Sequence, residues 1–298
     1  MNTPLTIFTP AYNRAYILRE LYRSLCAQTS SAFEWLIVDD GSTDGTQALA
    51  EEFIAEGAIA IRYIRQENGG KHTAINRGVG EARGELFFIV DSDDRLAPDA
   101  VETLLREWSS IRDDASFAGL SGVRVDFGGA RIGGAFPFER IDCTALEIRM
   151  KYRIRGDLSE AFRTDVLKRY PFPVYPDERF CPEALVWNRI ALRHKMRYTN
   201  HPIYRCEYRP DGLTAQIIRL RCRSPKASLL YYGELYRMPI PTLQRIKAAI
   251  NFWRFAPYCT QRTLREKIAA IGLSATLWLP AGYAYGWLDR RRLQNPKS

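Results

Sequence analysis

The chain of 298 residues lacks a Gly-x-Gly-x-x-Gly after its first apolar run and has no Gly-Lys-Ser or Gly-Lys-Thr loop. Dinucleotide oxidoreductases and P-loop NTPases therefore lose support. Histidine is scarce, three residues far apart, and none of the six cysteines (Cys26, Cys143, Cys181, Cys206, Cys222, Cys259) belongs to a Cys-x-x-Cys pair. Reduced structural thiols are expected rather than a zinc site. No basic-then-apolar leader precedes Leu5-Thr6-Ile7-Phe8, which gives a cytoplasmic expectation. Acidic residues run short in the C-terminal third: residues 205–298 hold 17 Lys/Arg against 5 Asp/Glu. The whole chain carries +9, so residues 1–204 are net acidic and the basic excess needs a local explanation. With 46% apolar and 26% charged residues the composition is that of an ordinary globular protein. The length suits one large α/β domain with an appendage, or two small domains.

What is present begins with Phe87-Phe88-Ile89-Val90-Asp91-Ser92-Asp93-Asp94, an apolar run ending in three carboxylates. Four uninterrupted apolar residues read as a buried parallel strand, with the acids just past its carboxyl end. Open α/β sheets keep their ligand crevice there. Like charges so close repel unless a cation neutralises them. An oxygen-only ligand set suits Mg²⁺ or Mn²⁺, which would also hold substrate phosphates. The alternative is a helix start, with Asp94 capping a helix that begins near Pro98. Earlier strands are expected at Leu5-Thr6-Ile7-Phe8-Thr9, at 33–38 and at 59–64, separated by helical patterns that start with Ile17, Leu18, Leu21 and Leu25. This alternation predicts βαβ units and a mostly parallel sheet flanked by helices. The loops 9–14, 39–46 and 91–94 then face one sheet edge.

Four motifs in order, Thr9-Pro10-Ala11-Tyr12-Asn13-Arg14, Asp39-Asp40-Gly41-Ser42-Thr43-Asp44, Asn68-Gly69-Gly70 and Asp91-Ser92-Asp93-Asp94, resemble family 2 glycosyltransferases of the GT-A fold. The resemblance covers residues 1 to about 210. It implies a nucleotide-sugar donor, most often a UDP-sugar, bound by Thr9, Pro10, Ala11, Tyr12, Asn13, Asp39, Asp40, Lys71, Asp91 and Ser92. Pro10, Ala11 and Tyr12 would line the base, and Asp40 would accept from its ring N–H with Asp39 supporting the loop. Asp93 would be the chief ligand of Mn²⁺ or Mg²⁺, with Asp91 at the ribose or the metal. Lys71 would reach a phosphate or stay solvated, and His72 is a weaker candidate.

Further along, 117–127 reads as a strand with apolar residues at alternate positions. Arg155-Gly156-Asp157-Leu158-Ser159-Glu160 resembles a segment before the acceptor region, with Asp157 or Glu160 facing sugars or solvent. Inversion needs a base for the acceptor hydroxyl, and Glu183 in Phe180-Cys181-Pro182-Glu183-Ala184 is the candidate, at a helix N-terminus with Leu185, Ile190 and Leu192 beneath. The family commonly has Glu-Asp there. The other reading of Glu183 is a helix-start carboxylate favoured by the macrodipole. Trp187 is an acceptor-sugar platform or core. Residues 201–208 read as a short edge strand, and 209–214 match a donor-site flap in which Arg209 touches the diphosphate.

The division expected is a GT-A domain over 1–214 (nucleotide-sugar half 1–115, acceptor half 116–214) and a basic, aromatic helical extension over 215–298. Residues 268–288 are 21 without a charge, close to the ~20 that span a bilayer, yet rich in Gly, Ser, Thr and Pro. They read as an interfacial anchor on an anionic membrane or as a buried helix. The function expected is an inverting, metal-dependent transferase acting on a glycan or lipid-linked acceptor at the inner membrane face. A sugar nucleotidyltransferase would carry a Gly-rich basic loop after the first strand. A nucleic-acid binder using the basic tail would not place acids on one sheet edge, so no nucleic-acid partner is expected.

Overall fold

The computed structural model describes residues 3–207 and 216–294; the expected flap 209–214, Arg209 included, lies outside them. The described chain forms two compact units, one from 3–171 with 189–207 and one from 172–188 with 216–294. Residues 172–188, drawn with the catalytic domain in the sequence, thus group with the C-terminal helices.

The first unit opens with β1 (Leu5–Ala11), α1 (Leu18–Cys26), β2 (Phe33–Asp39), α2 (Thr46–Glu56), β3 (Ile61–Arg65), α3 (Lys71–Glu81) and β4 (Leu86–Ile89). Then come β5 (Arg95–Leu96), α4 (Ala100–Ser109), β6 (Phe117–Val125), β7 (Arg140–Cys143), α5 (Ala145–Met150), β8 (Leu158–Arg163) and α6 (Thr164–Arg169). α7 (Ala184–Ala191) leads from the second unit into β9 (Lys195–Arg205). All nine strands join one sheet in the order β3-β2-β1-β4-β8-β6-β9-β5, with β7 on β9. β3, β2, β1 and β4 are mutually parallel, β8 runs against β4 and β6, and β6 is parallel to β9. This is the mostly parallel sheet expected.

Its helices pack as their periodicity dictates. Leu18, Leu21, Tyr22 and Leu25 form the buried stripe of α1, and the Tyr22 ring stacks on Phe53 of α2 at 4.0 Å between centroids. Two expectations fail. β6 is buried along nearly its whole length instead of alternating, the pattern of a strand covered on both faces; within the sheet it lies between β8 and β9. β9 is eleven residues long and not an edge strand, lying between β6 and both β5 and β7. It passes through Pro202 where the β6 register slips, opposite Val123, so the missing N–H falls at an irregularity.

The second unit comprises α8 (Ile217–Arg223), α9 (Pro225–Arg237), α10 (Thr242–Phe255), α11 (Leu264–Ile271) and α12 (Leu279–Gln294), with 3-10 turns at Ala256–Tyr258 and Leu273–Trp278. Leu229, Phe252, Trp253 and Ile271 are among its buried core. Segment 172–188 is held to it by Glu178, whose buried carboxylate accepts from the amides of Lys226 at 2.6 Å and Ala227 at 2.9 Å. These are first-turn donors of α9 that no intrahelical carbonyl can satisfy. The six cysteines are free thiols.

Candidate donor site

The site builds from the parallel register. Ala11 stands opposite Asp39 and Phe8 opposite Ile89, so the loops after β1, β2 and β4 leave the same sheet edge. The first two are stitched together by short polar contacts. Asn13, at φ 54°, donates its amide to Ser42 Oγ at 2.8 Å and accepts the Thr43 amide on Oδ1 at 2.8 Å. The Arg14 amide donates to Thr46 Oγ1 at 2.9 Å and the Ala15 amide to Asp44 at 3.1 Å. Tyr12 is left 48% exposed at the turn, its ring available to a planar ligand.

The paired acids after β2 face different ways. Asp39 is wholly buried; it accepts the Ser42 amide at 2.8 Å and the Tyr63 hydroxyl, which ties down the start of the loop. Asp40 gathers the third motif: Oδ1 accepts from Gln66 Nε2 at 2.7 Å and the Gly69 amide at 2.9 Å, and Oδ2 from the Gly70 amide at 2.7 Å. With three donors placed, its carboxylate keeps about one further lone-pair site for a ligand N–H. Gly41 permits this closeness: at φ +83°, a Cβ there would lie 2.9 Å from the Asn68 amide nitrogen. Thr9 is buried and its Oγ1 accepts from the Trp35 indole at 2.9 Å. Its side chain is committed to the core, leaving backbone atoms for any ligand.

The acidic run does not act as one cluster. Among the described residues no three His, Cys, Asp or Glu side chains gather as a metal cage; the three carboxylates expected to share one cation instead take separate positions. Asp91 pairs with Lys71 Nζ at 2.6 Å. Burial works to raise its pKa, but Lys71, with Arg124 and Arg14, holds it below the ordinary carboxylate value. Asp94 turns inward and accepts the Tyr204 hydroxyl at 2.7 Å, while the Asp91 amide donates to the same phenol oxygen at 2.9 Å. Burial and then the Asp91 charge push Asp94 up to about 7. It caps no helix: Asp99 holds the residue before α4. Asp93 is half-buried, with no hydrogen bond or ion pair among the described residues. Ser92 is buried beside it. A hard divalent cation needs only one or two carboxylates when phosphates supply the rest, so Asp93 with Asp91 fits that ion.

Tyr204 and Arg124, expected only as strand residues within 201–208 and 117–127, join the acidic loop. The Arg124 guanidinium lies 4.3 Å from the Tyr204 ring centroid and donates to the Leu158 carbonyl at 3.1 Å. The available signal was a charge between Val123 and Val125 in an apolar strand, which demands an acidic partner. Asp157 stands exposed before β8, within electrostatic reach of Arg124; Glu160 lies inside β8.

Glu183 and Trp187 belong to the second unit. Glu183 immediately precedes α7, and its carbonyl accepts the amides of Val186 at 3.0 Å and Trp187 at 3.2 Å, the N-terminal position expected. Trp187 meets Phe172 edge-on at 5.8 Å, so at least one edge is packing. Leu185 and Ile190 are buried but Leu192 is 52% exposed. The helix ends at Ala191, which turns Leu192 away from the contacts assigned to it.

Carboxylates, an exposed aromatic ring and a lysine gathered at one edge of the sheet, with helices between the strands, define an α/β protein with a polar site at that edge. The Glycosyl transferase family 2 profile matches residues 6–164, and the chain belongs to that family. Its fold is GT-A. The glycosyltransferase YibD of Escherichia coli is 36% identical over 114 residues, which are 38% of this chain and 32% of YibD. The Escherichia coli chondroitin synthase is 40% identical over 114 residues, 38% of this chain and 16% of the synthase. The chain therefore aligns with about a third or less of the length of these relatives. Staphylococcus aureus TarS in complex with UDP-GlcNAc superimposes with TM-score 0.64 at 18% identity, over 95% of this chain and 88% of TarS 1–349. The mannosyltransferase PcManGT of Pyrobaculum calidifontis, in complex with GDP-Man and Mn²⁺, gives TM-score 0.57 at 18% identity, over 99% and 88% of the chains.

Proposed function

We propose that the chain is an inverting, metal-dependent glycosyltransferase in cell-surface polysaccharide synthesis. It would move a sugar from a nucleotide-sugar, a UDP-sugar first, to a glycan or lipid-linked acceptor at the cytoplasmic membrane face. The observation that carries this reading is the joining of the β1, β2 and β4 loop ends, with Tyr12 exposed, Asp40 part-satisfied and Asp93 outside every described pairing. The family match, and the nucleotide-sugar ligands named for TarS and PcManGT, support it.

In this reading Pro10, Ala11 and Tyr12 flank the base and Asp40 accepts its ring N–H. Asp93 and Asp91 hold Mn²⁺ or Mg²⁺, which supplies positive charge to the departing diphosphate. Lys71 keeps Asp91 ionised and adds a second positive charge beside the phosphates. Glu183 takes the proton from the acceptor hydroxyl. Asp157 and Trp187 are the acceptor-side candidates.

Calorimetric titration with UDP and with GDP, each with and without Mn²⁺, tests the donor half on wild type and Asp93→Ala. Metal-dependent binding of one nucleotide, reduced at least about tenfold in Asp93→Ala, is the expected result, about 1.4 kcal/mol. No binding of either by the folded protein would sink the reading.

A further inference from the structure

The charge-free run 268–288 is not one rod. α11 ends at Ile271, and the helical path from Leu264–Ile271 into Leu273–Leu293 bends by 113°. Among the described residues no single helix is long and apolar enough to cross a membrane. What the bend exposes is nonetheless apolar. Leu273 and Leu277 are each 75% exposed, and on α12 Tyr283, Trp287 and Leu288 are exposed as well.

α12 is inverted relative to a helix on an aqueous surface, whose apolar stripe faces the core. Gly282, Gly286 and Asp289, at spacings of four and three, form its buried stripe. A Cβ on Gly282 would lie 2.3 Å from Trp253 Cβ, and one on Gly286 2.6 Å from the Arg254 carbonyl oxygen. The small residues thus seat α12 against α10 and turn the large ones outward. The adjoining charge has one sign. Asp289 is buried and spent internally on Arg254, at 2.8 Å from Nη2 to Oδ1 and 2.5 Å from Nε to Oδ2. It therefore does not offset Arg290, Arg291 and Arg292, all exposed. The Arg291 guanidinium lies 3.7 Å from the Trp287 ring centroid, placing a cation directly beside an exposed aromatic.

We infer that the face formed by the 273–278 turn and the outer side of α12 seats on an anionic lipid bilayer. Leu273, Leu277 and Trp287 enter the headgroup–acyl boundary, and Arg290–Arg292 meet lipid phosphates. Aromatic and leucine side chains beside arginines are the composition of an interfacial helix, and the one-signed charge selects an anionic surface. This inference stands apart from the transferase reading, since none of these side chains belongs to the donor site.

The test is co-sedimentation of the full chain with phosphatidylcholine vesicles, with and without phosphatidylglycerol. Binding should require phosphatidylglycerol and weaken with salt. Arg291→Gln should lower the partition coefficient about fivefold, as expected for one basic charge near such a surface. Leu277→Ser with Trp287→Ser should lower it further without loss of fold, because both positions are exposed. Light scattering on the same variants decides whether a second copy covers the face. A wild-type dimer that the serine pair dissociates, or vesicle binding indifferent to lipid charge and to both substitutions, would overturn the inference, as would no binding. UDP titration of the same preparations reads the donor site separately, so either reading can fail alone.

Discussion

Tyr204 holds two ends of the acidic loop with one oxygen. Its hydroxyl donates to Asp94 and accepts the Asp91 amide, and the side chain is fully buried. Tyr204→Phe keeps the ring and its Phe88 contact at 6.2 Å but leaves an amide and a carboxyl oxygen without that partner. A buried polar group so stranded costs roughly 1–3 kcal/mol. Urea unfolding should show a loss of that order, and UDP affinity should fall with it because Asp91 and Asp93 sit on the released loop. Full stability with weakened UDP binding would make Tyr204 a ligand contact instead. Unchanged values of both would mean that the loop is held from elsewhere.

At the scale of elements, the turn between α7 and β9 carries a titrating group. The His194 amide donates to the Ile190 carbonyl at 2.9 Å. Burial first, and the nearby Arg169 charge, hold its imidazole below the ordinary 6.5, against a backbone hydrogen bond with Ala115. The folded chain therefore binds this proton less readily than the unfolded chain, and stability present above pH 6.5 is lost as pH falls through the depressed value. Urea midpoints measured downward from neutral pH should decline in wild type, and His194→Gln should remove that component of the slope. An unchanged slope would show that carboxylates carry all of it. The parallel half of the sheet was legible in sequence because Phe87-Phe88-Ile89-Val90 and its neighbours are buried runs that stop abruptly at polar loops. The separate duties of Asp91, Asp93 and Asp94 were not, because Tyr204 is 110 positions from Asp94. β9 was misread as a short edge because Asn200-His201-Pro202 looks like a break, and only the slipped pairing with β6 accommodates it.

Over the whole molecule, sequence order hid the grouping of 172–188 with the C-terminal helices, since the Glu178 contacts that secure it reach 48 and 49 positions ahead. The charge imbalance, in contrast, was countable directly, and the exposed arginines of α12 give part of it a place. The same grouping separates the proposed duties: the donor residues lie in the first unit and Glu183 in the second. Two explanations of Glu183 then make different demands on one substitution. As the acceptor's base, Glu183→Gln removes the proton acceptor and should cut UDP release from the donor selected by calorimetry by about 10²–10⁴-fold. UDP affinity should stay within about twofold, since glutamine changes no donor contact, and less than 0.5 kcal/mol separates such affinities. As a helix-start carboxylate it instead favours the macrodipole by roughly 0.3–1 kcal/mol. Loss of that charge would lower the urea midpoint and leave turnover per folded molecule intact. Measuring both quantities on one preparation decides between them, because a tenfold or larger fall in turnover at unchanged UDP affinity has no source in helix stability.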